Sequence, residues 1–428
     1  MKRTVKAANA LSGEIHPPGD KSISHRAIIL NSIARGDARI DGFSQAADCY
    51  STLQGLRALD ATIDVVEGGG LLVHGRGENG LSEPEDVVDA GNSGTTMRLM
   101  AGLLAAQPFL SVITGDGSLR SRPMARIIHP LRLMGASIWG RREDSCAPLV
   151  IKGGPLNGIE YRLPVASAQL KSALLIAGLF AEGVTTIEEP MPSRDHTERM
   201  LAEMGANIEV TGAKITITKS RLNARDVSIP GDISSAAFWL VAGAVHSDAS
   251  IRLLNTGLNP TRCGVIDVLR SMGVRITVKN ERLLGGEPIA DLEVNSSALT
   301  GIEIGGDIIP LLIDEIPLIA LAASVAQGRT VIKNAEELRV KESDRITSTV
   351  EELSKLGARI EEMEDGMVIH GVSKLHGSDC DSRGDHRLAM MLGIASLIAE
   401  GETGIDNSEA ADISYPTFWE HLELLRVN

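Results

Sequence analysis

The stretch PGDKSISHRA, Pro18–Ala27, sets Lys21, Ser22, His25 and Arg26 directly behind a Pro-Gly turn signal. Ser22 and Arg26 are four apart, so they share a face of a helix that begins near Ser22. Lys21 stands at its mouth. A cation at the positive end of a helix is unfavourable until an anion arrives, so the grouping reads as anion-binding equipment rather than a solvated face. The Gly-x-x-x-x-Gly-Lys spacing of a phosphate-binding loop is absent. The same opening returns at Pro230 as PGDISSAAFW, stripped of Lys and Arg. There Asp232 reads as an ordinary helix cap with no cation beside it, and the second copy as structural.

More cations stand in short polar runs. GDGSLRSRPM carries Arg120 and Arg122, SRDHTERM carries Arg194, LRVKESDRI carries Arg339, Lys341 and Arg345, and GDHR carries Arg387. One such residue alone is more often half of a surface ion pair worth under about 1 kcal/mol. Together they suggest a cage for a multiply anionic ligand, because guanidinium forks match phosphate and carboxylate oxygens. Asp314, in IDEIP, and Glu342, beside Lys341, stand among them. They are either counter-ions or the base and acid of a proton transfer, and the residues alone leave both open. His25 and His386 each adjoin a key Arg, as proton carriers or as structural hydrogen-bonders.

These residues need elements to hold them. A phrase recurs in which a helix ends in Leu-x-x-(Met/Leu)-Gly-(Ala/Val)-x-Ile: LRLMGASI at Leu131, LAEMGANI at Leu201, LRSMGVRI at Leu269 and LSKLGARI at Leu353. A weaker copy, LRALDATI, starts at Leu56, and LELLRVN at Leu422 is a sixth. The starts recur at roughly 70-residue intervals, the mark of a repeat architecture. Leu and Met three apart face a core, Gly closes the helix in the left-handed region, and Ile opens a strand. Each unit also holds a helix rich in Ala, such as SSAAFWLVAGAV or HRLAMMLGIASLIA, apolar all round and therefore buried on every side. The inner helices open on GDKSISHRA, GNSGTTMRLM, VASAQLKSA, GDISSAAF, IDEIPLIA and GDHRLAMM, where unsatisfied N–H groups point outward, and GDGSLRSRPM, SRDHTERM and LRVKESDRI read as loops. The fold class expected is α/β, with two similar domains of three repeated units each. The paired PGD phrases predict hinges near Pro18 and Pro230. One domain then comprises residues 1–18 and 231–428 and the other 19–230, with a cleft between them.

Bulk properties narrow the class. Hydrophobic residues make up 43% of the 428-residue chain but aromatics only 3%, so the cores must be built from aliphatic side chains. A net charge of −14 argues against nucleic acid and anionic membranes as partners, so cations for an anionic ligand must be gathered locally. Cys49, Cys146, Cys263 and Cys380 lie far apart with no metal-site spacing, which suits a reducing compartment. No signal-peptide pattern or membrane span is expected. The expectation is a cytoplasmic enzyme, a monomer, with no metal and no cofactor.

Over the whole chain, the set PGDKSISHR, GNSGTTMR, GDGSLRSRPM, ASAQLKSALLIAGL, SRDHTERM, IDEIP, RVKESDR and GDHR resembles the 5-enolpyruvylshikimate-3-phosphate synthase family. The resemblance implies two domains of three βαβαββ-type units. It implies transfer of enolpyruvyl from phosphoenolpyruvate to the 5-hydroxyl of shikimate 3-phosphate, with release of phosphate. It assigns Lys21, Ser22, Arg26, Ser167, Ala168, Gln169, Arg194, Asp314 and Lys341 to the phosphoshikimate. It assigns Lys21, Gly94, Thr95, Arg122, Gln169, Arg345 and Arg387 to phosphoenolpyruvate. Asp314 takes the hydroxyl proton and Glu342 protonates the methylene carbon, with Lys21 as a third catalytic group. Two positions depart from relatives: Ile413 stands where many carry a Lys near the C-terminus, and Ala168 where some have a Ser. The alternatives are the related transferase acting on UDP-N-acetylglucosamine and a non-catalytic phosphometabolite-binding protein. The first would place a Cys in the loop GDGSLRSRP, which has none.

Overall fold

The computed structural model describes residues 1–427. Twelve helices of eight residues or more run through them: α1 (Lys21–Ser32), α2 (Ala47–Arg57), α3 (Gly94–Leu104), α4 (Ala125–Leu133), α5 (Ala168–Gly178), α6 (His196–Glu203), α7 (Ile233–Val245), α8 (Gly264–Ser271), α9 (Ile316–Ser324), α10 (Arg345–Lys355), α11 (His386–Ser396) and α12 (Phe418–Leu425). The odd-numbered helices are the inner ones, buried along most or all of their length, and α5, α7, α9 and α11 are rich in Ala whereas α1 and α3 hold one Ala each. The even-numbered ones carry the repeated phrase.

The phrase behaves as its chemistry requires. Leu131 and Met134, Leu201 and Met204, Leu269 and Met272, and Leu353 and Leu356 are all buried. The following Gly135, Gly205, Gly273 and Gly357 have φ of 102°, 86°, 97° and 89°, so each helix ends on a left-handed residue. In the weaker copy Asp60 occupies that place with φ 63°, which a short polar side chain tolerates. Each stop turns the chain into an antiparallel strand pair, such as 137–140 with 146–152 or 359–363 with 366–370.

Four sheets share one strand order, a parallel pair followed by an antiparallel hairpin: 88–89, 110–114, 146–152, 137–140; 160–162, 184–188, 214–218, 208–211; 303–304, 329–332, 366–370, 359–363; and 227–228, 35–41, 71–76, 62–65. In the last, Val227–Ser228 comes from far along the chain to complete the sheet of the first repeat.

The chain divides into two compact units. The first comprises Met1–Pro18, Pro230–Leu283 and Pro288–Asn428, and the second Gly19–Ile229 with Leu284–Glu287. The second is packed around α1, α3 and α5, with the sheets outside. There a Cβ on Gly102 would sit 2.2 Å from the Ala173 carbonyl oxygen, so α3 and α5 approach closely only because residue 102 has no side chain. The first is packed around α7, α9 and α11 and holds an aromatic cluster. Trp239 stacks on Phe418 at 5.2 Å, and Phe238, Tyr415 and Trp419 pack edge-on to the same Phe418 ring. The Trp239 Nε1–H donates to Tyr415 Oη at 2.9 Å, which satisfies the buried indole. Among the described residues no helix is long and apolar enough to cross a membrane.

Candidate active-site constellations

In the second unit the N-termini of the three inner helices are tied into one polar network. Asp20 caps α1 by accepting from Ile23 N at 2.9 Å, Ser93 caps α3 through Thr96 N at 3.1 Å, and Ser167 caps α5 through Leu170 N at 3.4 Å. Around these caps the cations gather. Helix α1 begins at Lys21, one residue before the expected start, and the Lys21 ammonium is 2.8 Å from Asp48 at the start of α2. Asp48 is linked onward to α3, because its carbonyl accepts from Thr96 Oγ1 at 3.2 Å.

Arg26 is almost wholly buried. Its Nε donates to Thr197 at 2.6 Å, Nη1 to the Ser22 carbonyl at 2.8 Å and Nη2 to Ser172 at 2.8 Å, which joins α1, α5 and α6. Arg194 lies beside the same turn, 3.5 Å from Ser22 Oγ. Gly94, Thr95, Arg98, Arg122 and Gln169 form a second cluster. A Cβ on Gly94 would lie 2.7 Å from Arg98 Nη1 and 3.3 Å from Arg122 Nη1, so two guanidinium groups rest on the bare backbone at the start of α3. Arg98 donates to Gln169 Oε1 at 2.5 Å, Gln169 Nε2 to Thr95 Oγ1 at 2.9 Å, and Arg122 to Asn92 Oδ1 at 2.8 Å. Lys21, Ser22, Thr95, Ser167, Ala168, Gln169 and Arg194 all keep partial exposure. The arrangement is cation-rich at positive helix ends, which suits anionic oxygens.

His25 lies under this network. Its Nδ1 is 2.6 Å from Thr52 Oγ1, which is in turn 2.6 Å from Thr96 Oγ1, and its Nε2 has no hydrogen-bond partner among the described residues. Burial pushes the imidazole down to about 3, so it is neutral and structural rather than a proton carrier near neutral pH.

The first unit repeats the layout with the balance of charge reversed. Asp232 caps α7 through Ser234 N at 2.8 Å, and Asp385 caps α11 through Arg387 N at 2.9 Å. Helix α9 differs. Asp314 and Glu315 precede it in a 3-10 turn, Glu315 makes no capping bond, and Pro317 in the first turn has no N–H to be capped. Both carboxylates are therefore turned to other partners. Asp314 Oδ1 is 3.4 Å from Arg345 and 3.7 Å from Lys341, and its Oδ2 is 4.0 Å from Arg387. Arg345 also meets Asp385 at 2.8 Å and Glu342 at 2.6 Å. Burial works against the charge of Arg345, but Asp385 and Glu342 more than offset it and hold the guanidinium firmly protonated. Burial likewise opposes the charge of Asp385, and Arg345 outweighs it to hold the carboxyl below the usual range. Asp314 and Glu342 are thus fixed by one rigid cation, while 16% and 19% of their side chains stay accessible to a reactant.

One sequence expectation is corrected. Asp232 does have a cation beside it: Arg262, only 4% exposed, contacts Asp232 Oδ1 at 2.9 Å and donates to Ser234 Oγ at 2.6 Å. The second PGD phrase receives its charge from the segment before α8. Sequence reasoning also passed over Asp48, Arg98, Glu315 and Asp385. Arg98 stands one helical turn after Gly94, a spacing that could have found it. Ile413 ends a 3-10 turn at Ser408–Ile413 and packs half-buried against the apolar core of the first unit.

Residues 5–422 match the family model of EPSP synthase (3-phosphoshikimate 1-carboxyvinyltransferase). The chain is 52% identical over 428 residues to the 3-phosphoshikimate 1-carboxyvinyltransferase of Desulforudis audaxviator, covering 100% of both chains. It is 53% identical to that of Bacillus cereus, covering 99% of each. Among solved structures, EPSP synthase from Acinetobacter baumannii superposes with a TM-score of 0.89 at 44% identity, covering 100% of this chain and 98% of that one. The enolpyruvyl transferase NikO from Streptomyces tendae, at 19% identity and a TM-score of 0.80 over 99% and 96% of the two chains, shares the fold. Two α/β units of repeated helix–sheet elements, with full-length similarity at this level, place the chain in the EPSP synthase family of transferases.

Proposed function

We propose that the chain transfers the enolpyruvyl group of phosphoenolpyruvate to the 5-hydroxyl of shikimate 3-phosphate and releases phosphate, a step of chorismate and aromatic amino-acid biosynthesis. The observation that carries this reading is the division of labour between the two constellations. Lys21, Arg98, Arg122 and Arg194 surround inner-helix N-termini in one, which fits two substrates that bring phosphates and carboxylates. Asp314 and Glu342 share Arg345 in the other, which fits proton transfer.

In this reading Lys21, Ser22, Arg26, Ser167, Ala168, Gln169, Arg194 and Lys341 serve the phosphoshikimate. Arg26 acts in part by fixing the Ser22 backbone, since three of its donors go to the Ser22 carbonyl, Ser172 and Thr197. Lys21, Gly94, Thr95, Arg122, Gln169, Arg345 and Arg387 serve phosphoenolpyruvate. Asp314 removes the proton of the 5-hydroxyl as its oxygen bonds to C2 of phosphoenolpyruvate, and Glu342 delivers a proton to C3. Glu342, left as a carboxylate, takes a proton back from C3 as phosphate departs from the tetrahedral adduct, which restores the double bond. Arg387 and Lys21 offset charge on the departing phosphate.

The decisive experiment mixes purified chain with both substrates and follows phosphate. Release that requires both compounds is expected, and release with either one omitted would refute the reading. We further take the chain to act as a monomer in the cytoplasm, a compartment that suits its four free thiols. Light scattering of the purified chain checks the first point.

A further inference from the structure

In five of the six inner helices an Asp or Ser side chain caps the N-terminus. Only α9 spends no side chain this way, and its Glu315, 2% exposed, is the residue released. A carboxyl group so deeply buried needs hydrogen-bond partners. It has two. Ser234 Oγ donates to Glu315 Oε1, and Arg387 Nη1 lies 3.4 Å from the same oxygen. Ser234 is in turn held by Arg262, which also pairs with Asp232 at 2.9 Å. A line of contacts therefore runs from the cap of α7 through Arg262, Ser234 and Glu315 to Arg387, all within the first unit.

Arg387 needs this line more than its neighbour does. Arg345 is gripped by Asp385, Glu342 and Asp314. Arg387, by contrast, has the 3.4 Å contact with Glu315 and a 4.0 Å approach to Asp314, and its buried Nε makes no hydrogen bond. It is the guanidinium with donors left over and little else to hold it.

We propose that Arg262, Ser234 and Glu315 are positioning residues that aim Arg387 at the phosphoenolpyruvate anion. This rests on the reaction proposed above and extends it, because it makes the segment before α8 part of the specificity for one substrate and not the other. Such a role differs from general stability. A structural relay would lower both substrate affinities and thermal stability together, whereas an aiming relay separates the two Michaelis constants.

The test is steady-state phosphate release by the full chain, varying each substrate in turn at saturating levels of the other. The variants are Ser234→Ala, Arg262→Met and Arg262→Lys. Ser234→Ala removes one hydroxyl and little volume, so it keeps the test open if Arg262→Met folds poorly. The loss of one buried hydrogen bond predicts a rise of about fivefold in KM for phosphoenolpyruvate in Ser234→Ala, with KM for shikimate 3-phosphate within about twofold. Arg262→Met should rise at least as far, and Arg262→Lys should recover part of the loss. Unchanged phosphoenolpyruvate KM in Ser234→Ala, or a parallel rise for both substrates, overturns the inference while the active wild type upholds the reaction. A wild type that releases no phosphate overturns the reaction, and this inference with it.

Discussion

Adding one methyl group at Gly94 gives the sharpest test of the phosphoenolpyruvate assignment. The Ala Cβ would lie 2.7 Å from Arg98 Nη1 and 3.3 Å from Arg122 Nη1. Contacts under 3.0 Å do not occur for real Cβ atoms, so Arg98 must retreat by several tenths of an ångström. It cannot do so freely, because the same Nη1 donates to Gln169 Oε1 at 2.5 Å, and Gln169 holds Thr95 at 2.9 Å. A displaced guanidinium also loses its charge-assisted contact with a bound anion, worth about 1.5 to 3 kcal/mol or about 10- to 100-fold in binding. The backbone gives no competing explanation. Gly94 is not in the left-handed region, and it opens α3 just after the Ser93 cap, where Ala is a good helix former. Gly94→Ala should therefore raise KM for phosphoenolpyruvate by about tenfold or more, with a loss of stability no larger than the about 3 kcal/mol of one charge-assisted hydrogen bond. The assay is phosphate release against phosphoenolpyruvate at saturating shikimate 3-phosphate, with thermal denaturation of the same preparation. A KM within about twofold of wild type would show that the Arg98–Gln169–Thr95 cluster does not touch that substrate.

Three further outcomes are expected. Asp314→Asn keeps shape but not basicity, so turnover should fall by about 100-fold or more while either substrate still binds by calorimetry; turnover close to wild type removes Asp314 as the base. The folded state holds His25 neutral down to about 3, whereas the unfolded chain protonates it near 6.5, so its share of stability is intact above about pH 6.5 and declines as pH falls toward 3. At pH 4.5 the loss is about 2 to 3 kcal/mol; His25→Asn should lose that much less stability than wild type between pH 7 and pH 4.5 in urea titrations, and equal losses refute it. Phe418→Ala, which empties the centre of the aromatic cluster, should cost about 3 to 5 kcal/mol, and a loss under 1 kcal/mol in chemical denaturation would show that the cluster relaxes around the gap.

The helix phrase was legible because its information is local. Leu131, Met134 and Gly135 fall within one turn, and the burial of two and the left-handed stop of the third follow from that spacing. The polar openings of the inner helices were legible for the same reason, since a cap and its amide lie two or three residues apart. What could not be read were pairings set by tertiary return. Asp232 and Arg262 are 30 residues apart, and Ser234 and Glu315 are 81 apart, with nothing in either segment to announce the other. The spacing of Ser22 and Arg26 puts both on one helix face, but the enclosure of Arg26 by Ser172 and Thr197 depends on α5 and α6 packing beside α1. Charged residues can thus be singled out along the chain, whereas the partners that bury them are set by packing between distant segments.

The aromatic cluster also determines what light can report. The chain has three Trp residues. Trp239 and Trp419 lie in the cluster of the first unit, and Trp139 is 49% exposed on a strand of the second. Unfolding the first unit moves two shielded indoles into water and shifts their emission to the red. Unfolding the second changes the surroundings of one already wetted ring. A fluorescence melt is therefore close to a single-unit thermometer, and set against the helical circular dichroism signal, to which both units contribute, it tells whether the two halves lose their order together or in turn.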